Sequence, residues 1–303
     1  MSKRALIRTL ALLGALVVLW GGFALFQRSM SDAPVTLPLP KLTVADVNRI
    51  ELQSDTDTVR LESGNGAWTV NGYAADQGAV NDFMAALTDS AASSELIARS
   101  NKSHGRLGVD SNGTHIVFAK GDKVLLSLIA GSKGRSYQTT YLRRDSEPEV
   151  YLYRGKLANY VNRPLDQWRN RKIASVNSDD IGTIEIAHGA RSTTVARADS
   201  ASWTVDGAPA DSAAMQRLLS ALGQIQAIGF ATPAQLDSID FTKPYSRLTV
   251  LGKSADTLLA LEADSGSSGF WVRRHGSPDT YKVDFWRMNQ LTPSDSALRK
   301  AGS

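Results

Sequence analysis

Four histidines are the side chains in this sequence best suited to proton transfer or metal binding near neutral pH: His104, His115, His188 and His275. None of them belongs to a paired metal-ligand motif such as H-E-x-x-H. The G-x-S-x-G, G-x-G-x-x-G and Walker-type patterns are also missing from the sequence. There is no cysteine, which excludes disulfides, thiolate metal sites and a cysteine nucleophile. The residue types therefore predict no catalytic site, no metal site and no cofactor.

Two short segments resemble ligand-binding loops only superficially. The segment GSKG at residues 131–134 lacks the rest of a phosphate-binding pattern and lies between two predicted strands, so a hairpin turn is favoured. Asp55 and Asp57 could contact a cation, but the other ligands of a calcium loop are missing. A turn is again the better interpretation.

Two tryptophans and two pairs of arginines recur at similar places along the chain. Trp68 and Trp203 each stand between a predicted strand and a turn, so core packing is favoured over ligand binding. The pairs at residues 143–144 and 273–274 lie late in predicted strands. Strand alternation turns one arginine of each pair outward, which favours a solvated face over a binding site.

The segment NRPLDQWRNRKI concentrates basic side chains around one tryptophan. It has two interpretations. The favoured one is a basic strap between domains, in which the tryptophan packs in the seam. The other is a contact surface for a protein partner or for anionic lipid headgroups, because Trp and Arg are enriched at interface hot spots. The candidate contact residues are Trp168, Arg169, Arg171 and Lys172.

The overall charge does not indicate nucleic-acid binding. The chain of 303 residues has 34 Lys and Arg against 30 Asp and Glu. Four of the basic residues, and no acidic one, precede residue 31, so the remainder of the chain is formally neutral. A nucleic-acid-binding protein usually carries a net basic face that replaces phosphate counterions. We therefore expect no nucleic-acid partner.

Residues 9–26, TLALLGALVVLWGGFALF, form an uncharged run that follows Lys3, Arg4 and Arg8. As a helix this run spans about 27 Å, close to the bilayer hydrocarbon core of about 30 Å. The preceding basic residues keep the N-terminus in the cytoplasm. A cleaved signal peptide is the alternative, which the length of the run and the lack of an A-x-A site disfavour. The sequence predicts a basic tip and inner-membrane anchor at residues 1–28, a Pro-rich spacer at 29–40 and an extracytoplasmic remainder.

The remainder of the chain is self-similar. The block AWTVNG at residues 67–72 matches SWTVDG at 202–207, and YLRR at 141–144 matches WVRR at 271–274. Matching blocks in the same order predict a tandem duplication. The predicted parts are a first repeat at residues 41–165, a basic connector at 166–173, a second repeat at 174–291 and a polar tail at 292–303.

Each repeat has the pattern of an α+β unit, in which one helix packs on an antiparallel sheet. Alternating apolar residues predict strands such as THIVFAK and KVLLSLIA in the first repeat, and SRLTVLG and TLLALEA in the second. Asn71-Gly72 predicts a tight turn. Asp76 and Asp211 are the predicted N-caps of helices that end near Leu87 and Leu222.

A family resemblance accompanies these motifs. The strand-Trp-turn-helix block, the segment WRNRKI at residues 168–173 and the new strand at 181–186 resemble the bacterial family called domain of unknown function 4340. The resemblance extends over about residues 45–290. It implies a single-anchored envelope protein, often encoded beside ABC transporter components, and hence a transport-accessory role. It supplies no catalytic residues.

We therefore expect a non-enzymatic accessory or scaffold protein of an ABC-type envelope transport system, with a membrane anchor and a protein partner. The alternative is a lipid- or glycan-binding protein whose ligand lies between the two repeats. A hydrolase assembled from scattered Asp, Glu, Ser and His residues is a third hypothesis, because triads are recognised by geometry rather than by order.

The predicted anchor leads to a first test. Protease added to spheroplasts should digest the chain beyond residue 40, because that part is predicted to lie outside the cytoplasm. Before digestion, the membrane fraction should contain the full-length protein. Recovery of a mature chain that starts near Asp32 would contradict a retained anchor.

Overall fold

The computed structural model describes residues 14, 16, 18–22, 36–134, 136, 138–199 and 202–300. Most of the predicted anchor and spacer, and the last three residues, therefore lie outside the described residues. The few described residues before residue 23 are helical. Within the described ranges, no helix is both long enough and apolar enough to cross a membrane.

The chain divides into two compact units. One contains the described residues up to Gly66 together with Gly78–Arg163, and the other contains Ala67–Gln77 together with the described residues from Pro164 onward. The short segment Ala67–Gln77 groups with the later part of the chain because its backbone pairs with residues 168–170.

The strands from residue 49 to residue 154 form one antiparallel sheet. Among the described residues, it has nine strands in the order β4-β3-β2-β1-β6-β7-β8-β9-β5. The strands predicted from alternation are confirmed, whereas β5 has no counterpart in the sequence prediction. The strands are β1 (Arg49–Gln53), β2 (Thr58–Gly64), β3 (Ala67–Val70), β4 (Tyr73–Ala74), β5 (Ser93–Ala98), β6 (Thr114–Lys120), β7 (Lys123–Lys133), β8 (Thr139–Arg144) and β9 (Val150–Arg154).

A second antiparallel sheet lies in the later part of the chain. Its order, over the residues that the structure describes, is β14-β13-β12-β11-β17-β18-β19-β20-β16, which repeats the order of the first sheet strand for strand. A separate short ladder joins β10 (Lys172–Ala174) to β15 (Ile225–Gln226). The strands of the second sheet are β11 (Ile181–His188), β12 (Arg191–Arg197), β13 (Trp203–Val205), β14 (Ala208–Pro209), β16 (Gly229–Phe230), β17 (Ser246–Gly252), β18 (Thr257–Gly266), β19 (Gly269–Arg274) and β20 (Thr280–Val283).

Two amphipathic helices supply much of the core. Helix α1 (Gln77–Leu87) begins directly after Asp76 and buries a stripe that includes Phe83, whose ring lies 5.6 Å from that of Phe118. The next two helices are α2 (His104–Leu107) and α3 (Ser212–Gly223). The predicted cap of α3 is confirmed, because the Asp211 carboxylate accepts a hydrogen bond from the Ala214 N–H at 2.7 Å. The described architecture is thus α+β, dominated by antiparallel sheets.

The predicted tight turn is confirmed, and a matching turn occurs in the second sheet. Asn71 and Gly72 join β3 to β4 with φ angles of 48° and 84°, and Asp206 and Gly207 join β13 to β14 with 47° and 84°. Two successive positive φ angles define the type I′ turn, which favours Asn-Gly and Asp-Gly. The predicted Asp55-Asp57 turn is also confirmed, since β1 and β2 form a hairpin there.

The C-terminal residues differ from the predicted polar tail. The short helix α4 (Pro233–Leu236) lies between β16 and β17, and two further short helices, α5 (Phe285–Leu291) and α6 (Asp295–Leu298), follow the last strand. Leu298 is fully buried, and its carbonyl accepts a hydrogen bond from the Asp211 N–H at 2.8 Å. The described residues after 291 are therefore part of the folded unit. A single buried leucine among polar residues gives no helical periodicity, which is why the sequence did not indicate α6.

The two repeated tryptophans are buried, as predicted. Trp68 and Trp203 are 5% and 7% exposed, and the Arg197 guanidinium lies 4.4 Å from the Trp203 ring. Their backbones are also alike, because the Trp68 carbonyl accepts from the Ala75 N–H and the Trp203 carbonyl from the Ala210 N–H.

Replacing either tryptophan by alanine should lower the free energy of unfolding by about 3–5 kcal/mol, because a large aromatic core side chain is lost. The control is Trp286→Ala, at a side chain that is 68% exposed. This variant should change stability by no more than about 0.5 kcal/mol. Urea unfolding measures all three, and equal stabilities would contradict the core role.

Candidate functional site

The predicted contact segment contains one tryptophan, and its indole is fully buried. Trp168 follows a 3₁₀ turn, Leu165–Gln167, and none of its surface is exposed. Its carbonyl accepts a hydrogen bond from the Asp76 N–H at 2.7 Å. A buried indole cannot contact an external partner, so the interpretation of Trp168 as a contact residue is wrong. The side chain instead fills a core position.

Arg169 is also buried, and it forms the centre of a cluster that we call the arginine clamp. Its Cζ atom lies 3.8 Å from the centre of the Tyr73 ring and 3.5 Å from that of Phe230. Its Nη2 atom donates to Oδ1 of Asp279 at 2.6 Å. Two aromatic faces and a carboxylate thus surround a guanidinium that is 7% exposed. Arg169 is therefore not a surface residue, contrary to its predicted role.

Further hydrogen bonds hold the carboxylate of the arginine clamp. Oδ2 of Asp279 accepts from the Tyr281 hydroxyl at 3.2 Å, and that hydroxyl also lies 3.2 Å from Oγ of Ser277. Burial raises the pKa of Tyr281 above its ordinary value, so the hydroxyl stays protonated and can donate. Asp279 therefore has a partner for each carboxylate oxygen.

The next part of the segment is exposed. The Arg171 and Lys172 side chains face solvent, whereas their backbones are fixed on β15. Lys172 opens β10 and is opposite Gln226, and the Arg171 carbonyl accepts from the Ala227 N–H at 2.8 Å. Of the four predicted contact residues, these two have the exposure that a contact requires.

Helix α5 begins beside this ladder and carries the exposed Trp286. Nη1 of Arg287 donates to the carbonyl of Gln226 at 2.7 Å, so the start of α5 lies next to β15. Trp286 precedes Arg287 and is 68% exposed, and Ile228, two residues after Gln226, is 42% exposed. We call the group of Arg171, Lys172, Ile228, Trp286 and Arg287 the aromatic–basic surface.

Sequence reasoning missed Trp286, Arg287 and Ile228. Residues 280–285 read as a continuous strand, TYKVDF, but the strand ends at Val283. Asp284 then caps α5, since its carboxylate accepts from the Arg287 N–H at 2.8 Å. The D-F-W-R order, a capping residue before aromatic and basic residues, was the signal that could have indicated a helix start.

The arginine pairs behave differently in the two sheets. Arg143 is buried, and its guanidinium donates to the carbonyls of Val109 at 2.6 Å and Asp145 at 2.8 Å. The prediction turned one arginine of this pair outward, and Arg143 is the inward one, whose donors are satisfied by backbone carbonyls, while the Arg144 side chain is 29% exposed. Arg273 and Arg274 are both exposed, as a solvated face requires.

The histidines are dispersed. Nε2 of His104 lies 2.8 Å from the carbonyl of Pro148, and the His188 ring packs edge-on against Tyr245. Across the part of the chain that the structure describes, no three His, Asp or Glu side chains are grouped so that they could hold a metal ion.

Over the residues that the structure describes, the fold is α+β with two nine-stranded antiparallel sheets of the same strand order, and the aromatic–basic surface lies in the later part of the chain. The family described as Domain of unknown function (DUF4340) matches residues 68–244. This match covers more than half of the chain, so the protein belongs to that family. No curated protein and no solved structure matches the chain.

The arginine clamp should contribute strongly to stability. In Arg169→Met the carboxylate of Asp279 stays buried without its cation, which should lower the free energy of unfolding by about 3–5 kcal/mol. Arg169→Lys should also destabilise the protein, because an ammonium lacks the planar group that stacks between two rings.

The matched control is Arg154→Ala, because Arg154 and Glu95 form an exposed pair at 3.7 Å. Loss of this pair should cost about 0–1 kcal/mol. Urea unfolding of Arg169→Met, Asp279→Leu and the double variant then gives the coupling energy. Additive effects of the two single substitutions would show that the clamp is not a coupled pair.

Proposed function

We propose that the protein is a single-pass, membrane-anchored accessory protein that binds a protein partner through the aromatic–basic surface and catalyses no reaction. The observation that carries this proposal is the exposure of Trp286, 68%, next in sequence to Arg287, whose guanidinium bonds to the carbonyl of Gln226 opposite Lys172. Such a large apolar side chain gains most when a partner covers it, and basic residues beside it select for an acidic partner.

A mixed distribution of charge supports a protein partner rather than an anionic membrane surface. Asp284 caps α5 immediately before the exposed Phe285 and Trp286. The Asp166 carboxylate, whose side chain is 48% exposed, comes close to Gly229, the neighbour of Ile228. Carboxylates at this surface would be repelled by a layer of anionic headgroups. A protein can present a basic group to them and acidic groups to the three cations.

The location of the protein is part of the same proposal. The uncharged run at residues 9–26 and its basic flank support an inner-membrane anchor with the rest of the chain outside the cytoplasm. The family resemblance supports an ABC-type envelope transport system as the source of the partner. A short tether also raises the effective concentration of the accessory protein near such a partner.

A tandem duplication completes the proposal. The same strand order in both sheets supports it, as do the matching turns at Asn71 and Asp206. A further parallel is an isolated bridge just before each helix, which joins Ala75 to Arg169 and Ala210 to Arg299. We propose that the second repeat extends to residue 299, because that bridge corresponds to the one at Arg169.

Co-purification from membranes tests the partner surface. Trp286→Ala should weaken the affinity for the partner by at least about 30-fold and so lower the amount of partner recovered. This is the effect of losing an interface hot spot of about 2 kcal/mol or more. Arg171→Glu combined with Lys172→Glu should have a similar effect through charge repulsion. The melting temperature should stay near that of the wild type, because these side chains are exposed.

Matched controls are Leu236→Ala, at an exposed apolar residue, and Lys243→Glu combined with Lys253→Glu, at exposed lysines. These controls should co-purify like the wild type. Normal recovery of the partner with Trp286→Ala would defeat the proposed surface. Loss of binding to phosphatidylglycerol vesicles alone, with partner recovery unchanged, would favour a lipid contact. A folded, partner-bound His→Gln variant without biological activity would instead indicate catalysis.

A further inference from the structure

The second sheet carries a basic cavity on the face that points away from the core. Leu248 and Val250 of β17 are buried. Because side chains alternate along a strand, Arg247 and Thr249 point to the other face of the sheet. A cavity of about 480 Å³ lies there, with Arg273 of β19 on its far side. This volume is in the range of small-ligand sites. We call this site the basic cavity and define it by Arg247, Thr249, Ala260, Glu262, Arg273 and His275.

One carboxylate holds two guanidiniums in the basic cavity. Glu262 on β18 stands opposite Arg247 on one side and Arg273 on the other. Oε2 of Glu262 accepts from Nη2 of Arg273 at 2.6 Å, and Oε1 lies 3.4 Å from Nε of Arg247. The three side chains together carry a net charge of +1. The carboxylate thus fixes both guanidiniums while leaving positive charge in the cavity.

The cavity has more hydrogen-bond donors than the protein has acceptors bonded to them. Within the described part of the chain, Nη1 and Nη2 of Arg247 have no hydrogen-bond partner, because its single side-chain bond uses Nε. The small side chain of Ala260 lies opposite Thr249, two residues before Glu262 on β18, and leaves room above the sheet, and Thr249 adds a hydroxyl. His275 continues the same row, with its backbone N–H bonded to the carbonyl of Ala260.

Tertiary hydrogen bonds hold two residues in the wall of the cavity. Ser277 lines it, and its hydroxyl is bonded to that of Tyr281, which is bonded to Asp279 of the arginine clamp. Arg274, another lining residue, donates from Nη1 to the carbonyl of Ile173 at 2.9 Å. Donors held by such supporting contacts lose little freedom when they bind a ligand.

We propose that the basic cavity binds the phosphoryl group of a small phosphate ester. A phosphoryl group offers several acceptor oxygens in a tetrahedral arrangement, which suits donors that converge from two strands and a hydroxyl. The phosphate can belong to a soluble ester or to a lipid headgroup, and the chemistry of recognition is the same. This site is separate in its residues from the aromatic–basic surface, so either proposal can fail without the other.

Calorimetric titration of the full-length protein in detergent tests the site. The probes are inorganic phosphate, glycerol 3-phosphate and short-chain dihexanoyl phosphatidylglycerol, with dihexanoyl phosphatidylcholine as the lipid control. Arg247→Gln should weaken binding by about tenfold or more, since a charge-assisted hydrogen bond to phosphate is lost. The control Arg217→Gln removes an exposed arginine of α3 and should leave binding unchanged.

Glu262→Gln should change the affinity for phosphate in the opposite direction. Without the competing carboxylate, both guanidiniums are available to phosphate, so binding should become several-fold tighter. A site that only needed an intact sheet would not gain affinity from this substitution. A soluble ligand is supported if glycerol 3-phosphate or inorganic phosphate binds, and if Arg247→Gln weakens and Glu262→Gln strengthens that binding. A lipid headgroup is supported if phosphatidylglycerol alone binds and its affinity changes in the same two directions. Thermal melts must first confirm that each variant is folded. The proposal is overturned if no probe binds, or if neither Arg247→Gln nor Glu262→Gln changes the affinity of a probe that does.

Discussion

A buried guanidinium fixes the segment on which the proposed partner surface depends. Arg169 is taken out of water, and its charge is compensated by Asp279 and by the faces of Tyr73 and Phe230. Leaving such a charge unpaired would cost several kcal/mol, so the segment is strongly held in one arrangement. The backbone on either side is also fixed, because the Asp76 N–H bonds to residue 168 and the Asn170 N–H bonds to Ala74. The chain leaves this clamp with Arg171 and Lys172 directed to solvent. The buried and exposed residues of one short segment therefore have different tasks, and the buried ones position the exposed ones.

The corresponding bridge in the second sheet shows what the clamp adds. Ala210 pairs with Arg299 as Ala75 pairs with Arg169, so the backbone arrangement does not require a buried charge. The Arg299 side chain is 33% exposed and forms ion pairs with Asp206 and Asp295. An exposed pair of this kind contributes little to stability, whereas a buried, stacked guanidinium restricts the chain to one geometry. The same backbone feature thus serves as a simple closure at one place and as a positioning device at the other.

The elements that the sequence predicts are those with a local signal. Alternation identified the long strands, Asn-Gly identified a type I′ turn, and an aspartate identified the start of α3. Strand β5 (Ser93–Ala98) was missed because its residues are exposed and half-buried in alternation, so no apolar row marks it. The clamp was missed for another reason. Asp279 is 110 residues from Arg169 in the chain, and neither residue type nor spacing relates the two. Burial of Arg143 depends likewise on the carbonyl of Val109, which only the tertiary fold brings near.

The proposed binding by this protein depends on local groups of charge, because its charges balance overall. From residue 31 onward the basic and acidic residues are equal in number, so there is no long-range attraction to an anionic surface. If the protein is tethered as proposed, a strong basic excess would make it adhere to the membrane beside it and cover its proposed binding residues. An overall balance of charge avoids such adhesion and still leaves positive charge at the basic cavity and at the aromatic–basic surface. In the basic cavity, the Glu262 carboxylate holds two arginines in place and neutralises one of their two positive charges. At the aromatic–basic surface, the exposed Trp286 directly precedes Arg287, so the proposed partner has to match both shape and charge.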